Sequence, residues 1–311
     1  GLQRHGLVLP QGPPLTFNEV TMKKILILTA AAAAGLLALV SCRNAQEGDK
    51  VMARYVPERA DDFVWENDLV AYRAYGKALE GNPTSPGFDV WVKKAGKLVA
   101  DEWYKGAMDD PDYYHHDHGG KDCYKVAVSL GGGASSPIVN GSISYPPTNY
   151  RDYRIVEDTP EKVVFELVYP AWAAGEDSVA LTKRITVTPG TQFCKAEDIY
   201  TGTFDSLTVA AGIIRHEVLG SSAGDNFVVI WEKASDQSIE PEEGQLGLAV
   251  YMPDADKAEL ESIGGHALVF KTITPGQPIT YWFGSCWSRG DRIATSEAWN
   301  GYVQEFIASL Q

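Results

Sequence analysis

Two kinds of hydrophobic pattern divide the chain. Residues 25–40 form an uninterrupted run of apolar and small side chains, whereas beyond residue 50 apolar and polar positions often alternate. Residues 162–169 are β-branched and aromatic with partial alternation, and 179–188 alternate more strictly before the turn pair Pro189-Gly190. Similar windows cover 207–214, 226–232, 247–251, 266–272 and 279–284, with Gly, Pro, Asp and Asn between them. Short alternating runs punctuated by turns predict a large antiparallel sandwich, so the fold class expected is all-β. One helix is predicted from Ser296, with Trp299, Tyr302, Val303, Phe306 and Ile307 on a single face that closes the sandwich.

The apolar run has a different purpose. Met22-Lys23-Lys24 places positive charge before it, and Leu39-Val40-Ser41-Cys42 ends it with a small residue ahead of a cysteine. A stretch of about 16 residues is short for a membrane span and suits the apolar core of a signal peptide. Leu-Val-Ser-Cys looks like a bacterial lipobox, with Cys42 as the lipidated residue; an ordinary secretory signal with a chance cysteine is the alternative. The expected organisation is therefore residues 1–21 as upstream sequence, 22–41 as a lipoprotein signal, 42–50 as a polar tether and 51–311 as one domain. That places the protein in the cell envelope as an outer-membrane lipoprotein, periplasmic or surface-facing, held to the membrane through Cys42.

Charge narrows the partners. The chain carries a net charge of −14 and no basic run, so nucleic acid is not an expected partner. Cys123, Cys194 and Cys286 show no zinc-like spacing. They leave open one disulfide with a spare thiol, or three buried thiols. Neither a metal nor a cofactor is expected. Gly131-Gly132-Gly133 lacks the Lys-Ser/Thr of a phosphate loop and reads as a bulge or turn, and no Gly-x-Ser-x-Gly elbow occurs.

Candidate chemistry concentrates in a few stretches. Tyr113-Tyr114-His115-His116-Asp117-His118-Gly119-Gly120 holds three of the six histidines. Such a cluster suits proton transfer, carboxylate binding or metal coordination, or else is a plain polar loop. The stretch from Arg54 to Asp68, followed by Ala71-Tyr72-Arg73-Ala74-Tyr75, mixes arginine, carboxylate and aromatic side chains. Sugar sites need that mixture, since rings stack on pyranose faces while Arg, Asn and carboxylates meet hydroxyls; a structural Arg–Asp ladder uses the same residues. Arg215-His216-Glu217 follows an apolar strand and marks either its exit into a cleft or its solvated end. Near the end, Trp287 and Arg289 close an aromatic run.

These stretches resemble the DUF4861 family, whose members accompany polysaccharide breakdown in Bacteroidetes. The resemblance rests on Arg59-Ala60-Asp61-Asp62-Phe63-Val64-Trp65-Glu66-Asn67-Asp68 with Tyr72-Arg73-Ala74-Tyr75-Gly76, and on Tyr114-His115-His116-Asp117-His118-Gly119 with Asp122-Cys123-Tyr124. It extends through Gly212-Ile213-Ile214-Arg215-His216 and Tyr281-Trp282-Phe283-Gly284 to Trp287 and Glu297-Ala298-Trp299. It implies a galactose-mutarotase-like antiparallel β-supersandwich, a fold also used by several polysaccharide lyases. The expected substrate is an acidic, uronic-acid-containing oligosaccharide, and the expected reaction is β-elimination to a 4,5-unsaturated uronate. On that reading Tyr114 and His118, with His115 as a second choice, transfer protons. Arg73, Arg215 and His216 neutralise the carboxylate, Trp65 and Trp287 form stacking walls, and Glu66 and Asp68 complete the binding surface. A glycoside hydrolase using two of Glu66, Asp68 and Asp117, a non-catalytic glycan-binding lipoprotein, and a mutarotase or epimerase are the alternatives.

Overall fold

A computed structural model describes Ala45 and residues 48–80, 86–234 and 244–311. Cys42, the 22–41 signal and the 1–21 segment lie outside the described residues. Among the described residues three antiparallel sheets account for the strands. The first runs in chain order: β1 (Val51–Val56), β2 (Asp62–Asn67), β3 (Ala71–Ala74), β4 (Phe88–Lys93) and β5 (Gly120–Asp122). A five-stranded sheet is ordered β16 (Lys257–Glu259), β17 (His266–Ile273), β12 (Leu207–Ile214), β6 (Gly132–Val139), β7 (Ser142–Ile143). The large sheet has eight strands, ordered β13 (Val218–Ala223), β14 (Phe227–Lys233), β15 (Gln245–Tyr251), β18 (Pro278–Trp287), β11 (Phe193–Gly202), β10 (Asp177–Val187), β9 (Lys162–Ala174), β8 (Asp152–Thr159). An isolated parallel bridge, Phe88 to Gly131, joins β4 to the residue before β6.

One face of the eight-stranded sheet packs on both smaller sheets in a shared core. Trp65 from β2 meets Phe165 from β9 and Phe283 from β18, with ring centroids 5.4 and 6.4 Å apart. Strand β10 alternates as the sequence predicts: Val179, Leu181, Lys183, Ile185 and Val187 are buried, and the residues between Val179 and Val187 on the other face are partly exposed. Helix α2 (Ser296–Ser309) closes the opposite face, burying Trp299, Val303 and Ile307. Its N-cap is Thr295, whose Oγ1 accepts from the Ala298 amide at 3.2 Å. The expected all-β antiparallel sandwich with a C-terminal helix is what forms. Cys123, Cys194 and Cys286 are buried free thiols.

The first sheet differs from the others. Strands β2, β3 and β4 are buried at every position. Their outer face is covered by helix α1 (Ala100–Asp109), unanticipated from sequence, and by a 3-10 turn at Tyr113–His115. Buried charge attaches that helix. Glu66 Oε1 accepts from the Val99 and Ala100 amides at 2.9 and 2.8 Å. Those amides have no partner within the helix, and a carboxylate there also meets the positive end of the helix dipole. Lys93 Nζ donates to Glu66 Oε2 at 2.7 Å and to the carbonyls of Asn67 and Lys97 at 2.6 and 2.5 Å.

Both side chains of the Glu66–Lys93 pair are fully buried. Removing one partner of such a pair costs about 3–5 kcal/mol, because the other is left charged and alone. Glu66→Ala is therefore expected to lose stability of that order in urea unfolding, while Glu66→Met with Lys93→Met recovers part of it. A Glu66→Ala midpoint equal to that of the unaltered protein would show that the pair does not anchor α1.

Candidate functional site

The outer face of the first sheet concentrates charge because alternate positions on β2, β3, β4 and β5 point the same way. Arg73 pairs in register with Asp89, and Asp122 with Trp91. A tight turn supplies the rest. Ala60 and Asp61 both lie in the left-handed region (φ 53° and 61°), and the Asp62 amide donates to the Arg59 carbonyl at 3.1 Å. Neither residue is glycine, so the turn needs outside support. Tyr150 Oη donates to the Asp61 carbonyl at 2.5 Å, and Tyr55 Oη to the Asp61 carboxylate. Gly76 lies against the same carbonyl: a Cβ there would come within 1.8 Å of Asp61 O. The turn thus holds Arg59 and Asp62 over the charged face.

Arg73 is the centre of the cluster. Its Nε lies 2.6 Å from Asp89 Oδ2, its Nη2 2.8 Å from Asp122 Oδ2 and its Nη1 3.7 Å from Asp62 Oδ2. The Nη2 contact is an aligned hydrogen bond, whereas the Nε and Nη1 hydrogens do not lie along their contacts. The guanidinium carbon sits 5.1, 5.2 and 5.3 Å from the ring centres of Tyr75, Trp91 and Tyr114. Arg59 stands at the rim, its side chain 27 % exposed, with Nη1 3.1 Å from Asp62 Oδ2 and Nε donating to Tyr114 Oη at 3.3 Å.

Three carboxylates therefore face two guanidiniums, and all three are buried. Burial pushes the Asp89 carboxyl up to about 7, and neighbouring Asp122 adds to this against the pull of Arg73. Burial likewise raises Asp62 to about 6 and lifts Asp122. For Arg73 burial opposes the charge, but the surrounding carboxylates outweigh it and keep the side chain protonated.

The histidine loop divides around this cluster. His115 adjoins it: Nδ1 lies 3.1 Å from the Asp122 carbonyl, and its ring meets Tyr114 with centroids 4.8 Å apart. A carbonyl only accepts, so Nδ1 carries the hydrogen and Nε2 the lone pair. Burial lowers the affinity of this imidazole for a second proton. His118 is exposed and stacks face to face on Tyr113, centroids 3.9 Å apart. Asp117 accepts from the Gly119 amide at 2.9 Å and pairs with Arg289 at 2.9 Å.

Other residues singled out in the sequence lie in different surroundings. Trp65 is wholly buried in the inter-sheet core, and Trp287 is 3 % exposed beneath Arg289. Glu66 holds α1, and Asp68 Oδ1 accepts from the Gly190 amide at 2.7 Å. Arg215 pairs with Glu261 at 2.9 Å. His216 Nδ1 lies 2.7 Å from Glu232 Oε1 and its Nε2 2.8 Å from the Lys125 carbonyl. His216 meets Tyr124 edge-on at 5.1 Å, and the Tyr124 phenol, raised first by burial, also feels the carboxylates of Glu232 and Asp89. Tyr114, His115 and Arg73 thus come together, while His216 contacts Tyr124 and His118 is exposed.

A second buried network had no signal in the sequence. Lys183 Nζ donates to Asp198 Oδ2 at 2.7 Å, Tyr281 Oη donates to the same oxygen at 3.2 Å, and Ser135 Oγ lies 2.7 Å from Tyr200 Oη. It sits between β6 and the eight-stranded sheet.

Comparison with known proteins gives a family and few details. The family model described as domain of unknown function DUF4861 matches residues 11–311. Uncharacterized protein P7 of Formosa agariphila is 31 % identical over 275 residues, covering 83 % of this chain and 67 % of its own. Among solved structures, a putative kojibiose phosphorylase from human microbiome matches 84 % of the chain at 7 % identity and a TM-score of 0.39. The GH36 α-galactosidase AgaB of Geobacillus stearothermophilus matches 77 % at 11 % identity and a TM-score of 0.40. The chain spans 36 % and 42 % of those two solved chains.

Asp89 gives the cluster a measurable pH signature. The folded carboxyl holds its proton up to about 7, whereas an exposed aspartate releases it near 3.8. Between those limits the folded state binds more protons than the unfolded chain, so this group makes stability fall as pH rises through that window. Asp89→Asn is expected to flatten the decline between about pH 4 and 7 in a series of urea unfolding curves. Parallel pH profiles for the two proteins would count against this charge assignment.

Proposed function

The chain belongs to the DUF4861 family, and we propose that it is a carbohydrate-active enzyme that opens uronic-acid-containing oligosaccharides by β-elimination. The observation that carries this reading is the meeting of Arg59, Tyr114 and His115 at the edge of the Arg73 cluster. Elimination needs a base at C5, a cation facing the carboxylate as it becomes enolate-like, and an acid for the departing oxygen at C4. Here His115 Nε2 is the base, since a neutral imidazole with its lone pair on that nitrogen can take the C5 proton. Arg59, at the rim and partly exposed, faces the uronate. Arg73 is committed to three aspartates, so the cationic role expected of it passes to Arg59.

Tyr114 donates its proton to the departing oxygen. The C5–H electrons become the C4=C5 double bond, the C4–O bond breaks, and charge growing on the phenol oxygen meets the Arg59 Nε–H. A donor placed in this way is worth roughly 3–4 kcal/mol in a transition state, and a positioned acid or base roughly 10²–10⁴-fold in rate. Hydrolysis is less well supported: Glu66 caps a helix, while Asp68 and Asp117 are held by backbone amides.

The assay is the ultraviolet absorbance of the conjugated unsaturated uronate released from acidic oligosaccharides. His115→Ala and Tyr114→Phe are each expected to lower its rate by about 10²–10⁴-fold. Burial of His115 places the acidic limb of the pH profile below the ordinary imidazole value of 6.5, because the base must be unprotonated. Absence of an absorbing product from every uronate oligosaccharide tried, or products heavier by one water in mass spectrometry, would sink the elimination reading.

The same proposal places the enzyme in the cell envelope, anchored through lipid on Cys42. Radiolabelled palmitate is expected to enter the natural protein and not Cys42→Ala, which should appear in the soluble fraction. Equal labelling of both would refute the anchor.

A further inference from the structure

A cavity of about 180 Å³ lies at the free edge of the eight-stranded sheet, where β13 and β14 meet the first turn of α2. Local irregularity creates it. The pairing of β13 with β14 slips between Val218 and Gly220, leaving Leu219 as an extra residue that bends the edge. Gly220 then stands opposite Trp231 with no side chain of its own. A Cβ at that position would come within 2.6 Å of Ser296 Oγ, so the glycine is what lets strand and helix approach.

The lining specifies a ligand class. Val229 and Trp231, each 3 % exposed, form the apolar floor, and the indole Nε1 already donates to Gln245 Oε1 at 2.6 Å. Ser222 Oγ donates to Asn300 Oδ1 at 2.5 Å, which fixes that amide and leaves its NH₂ as a donor. The side chains of Ser296 and Glu297 add a hydroxyl and a carboxylate with no hydrogen-bond partner among the described residues. No Lys, Arg or His lines the cavity, and its charged residue is Glu297. An anion would meet a carboxylate with nothing to neutralise it, and a metal would find one acidic ligand. Ligand pockets for drug-sized molecules run about 300–1,000 Å³, so this one takes a single small ring.

We propose that this cavity binds one neutral pyranose residue, its apolar face toward Trp231 and its hydroxyls toward Ser296, Glu297 and Asn300. Nothing in the helix dipole is needed, since Thr295 already caps Ala298. The site is remote in kind from the Arg59 edge: that edge suits an acidic sugar, whereas this cavity rejects one. It would act as an anchoring subsite for the neutral units of a mixed polysaccharide.

Methyl β-D-galactoside, methyl β-D-glucoside, methyl α-L-rhamnoside and methyl β-D-glucuronide serve as probes, each titrated with saturation-transfer NMR. At least one neutral glycoside is expected to bind saturably and about tenfold more tightly than the glucuronide, a gap of about 1.4 kcal/mol. Ser296→Phe, which fills the cavity from the surface, should abolish that binding, and Asn300→Ala should weaken it, both with unchanged circular dichroism. Glu297→Gln should narrow the gap to the glucuronide. Neutral-glycoside binding untouched by Ser296→Phe and Asn300→Ala, or no saturable binding of any neutral probe, would overturn the proposal. Loss of elimination activity in His115→Ala with glycoside binding intact separates the two sites, so either can fail alone.

Discussion

Arg73 lies inside the protein among three aspartates, and the first sheet is organised around keeping that charge satisfied. Moving an ion from water to an interior costs several kcal/mol even after relaxation, so a buried guanidinium persists only where its surroundings return the interaction. Asp89 comes from the neighbouring strand by register, Asp122 from the strand beyond, and Asp62 from the foot of β2. The aromatic rings of Tyr75, Trp91 and Tyr114 close over the cation and exclude water. Helix α1 then becomes necessary: without its cover the charged face would be a solvated surface, and the carboxyls would ionise as exposed aspartates do.

The same constraint explains the shape of the candidate site. Three acids against two guanidiniums leave an excess of negative charge that burial resolves by holding on to a proton. For the proposed uronate a fully ionised cluster would be repulsive, whereas a proton retained near neutral pH brings the three carboxyls and two guanidiniums close to charge balance. The support for the Arg59 turn belongs to this economy of charge. Two left-handed residues that are not glycine persist because Tyr150, Tyr55 and the bare backbone of Gly76 all bear on Asp61. A strained turn so heavily supported places Arg59 more exactly than a glycine turn would.

What could be read from the chain follows burial on one face or two. Strand β10 is legible because one face meets the core and the other does not, which writes a period of two into the sequence. Strands β2 to β4 are buried on both faces, and their outer face is polar, so Asp62-Phe63-Val64-Trp65-Glu66 looks like a binding loop. The Arg–Asp ladder weighed for this stretch is the geometry that forms, and the candidate site grows from its rim. Helix α1 was hidden for a related reason: its apolar stripe is Ala100, Trp103 and Tyr104, too brief to stand out in a ten-residue helix rich in acids, with Gly106 pressed under the Tyr113 ring. The choice between His115 and His118 was beyond reach, because it depends on which ring stacks on Tyr113 and which turns toward Asp122.

The Lys183–Asp198 network sets the limit of such reading. Its members come from β6, β10, β11 and β18, and each looks in sequence like a routine polar position. Only sheet register brings them to one point, facing the parallel bridge region where the two smaller sheets meet. The bonds there are internal: lysine to aspartate, serine to aspartate, tyrosine to aspartate. These bonds all converge on Asp198 Oδ2, leave Asp198 Oδ1 without a hydrogen bond, and tie β6 to the eight-stranded sheet. The Arg73 cluster has the opposite character, since Arg59 and His115, either side of the buried Tyr114, continue it outward to partly exposed side chains. Two buried charge networks of similar composition therefore differ in where the hydrogen-bonded chain ends, one inside the protein and the other at its surface.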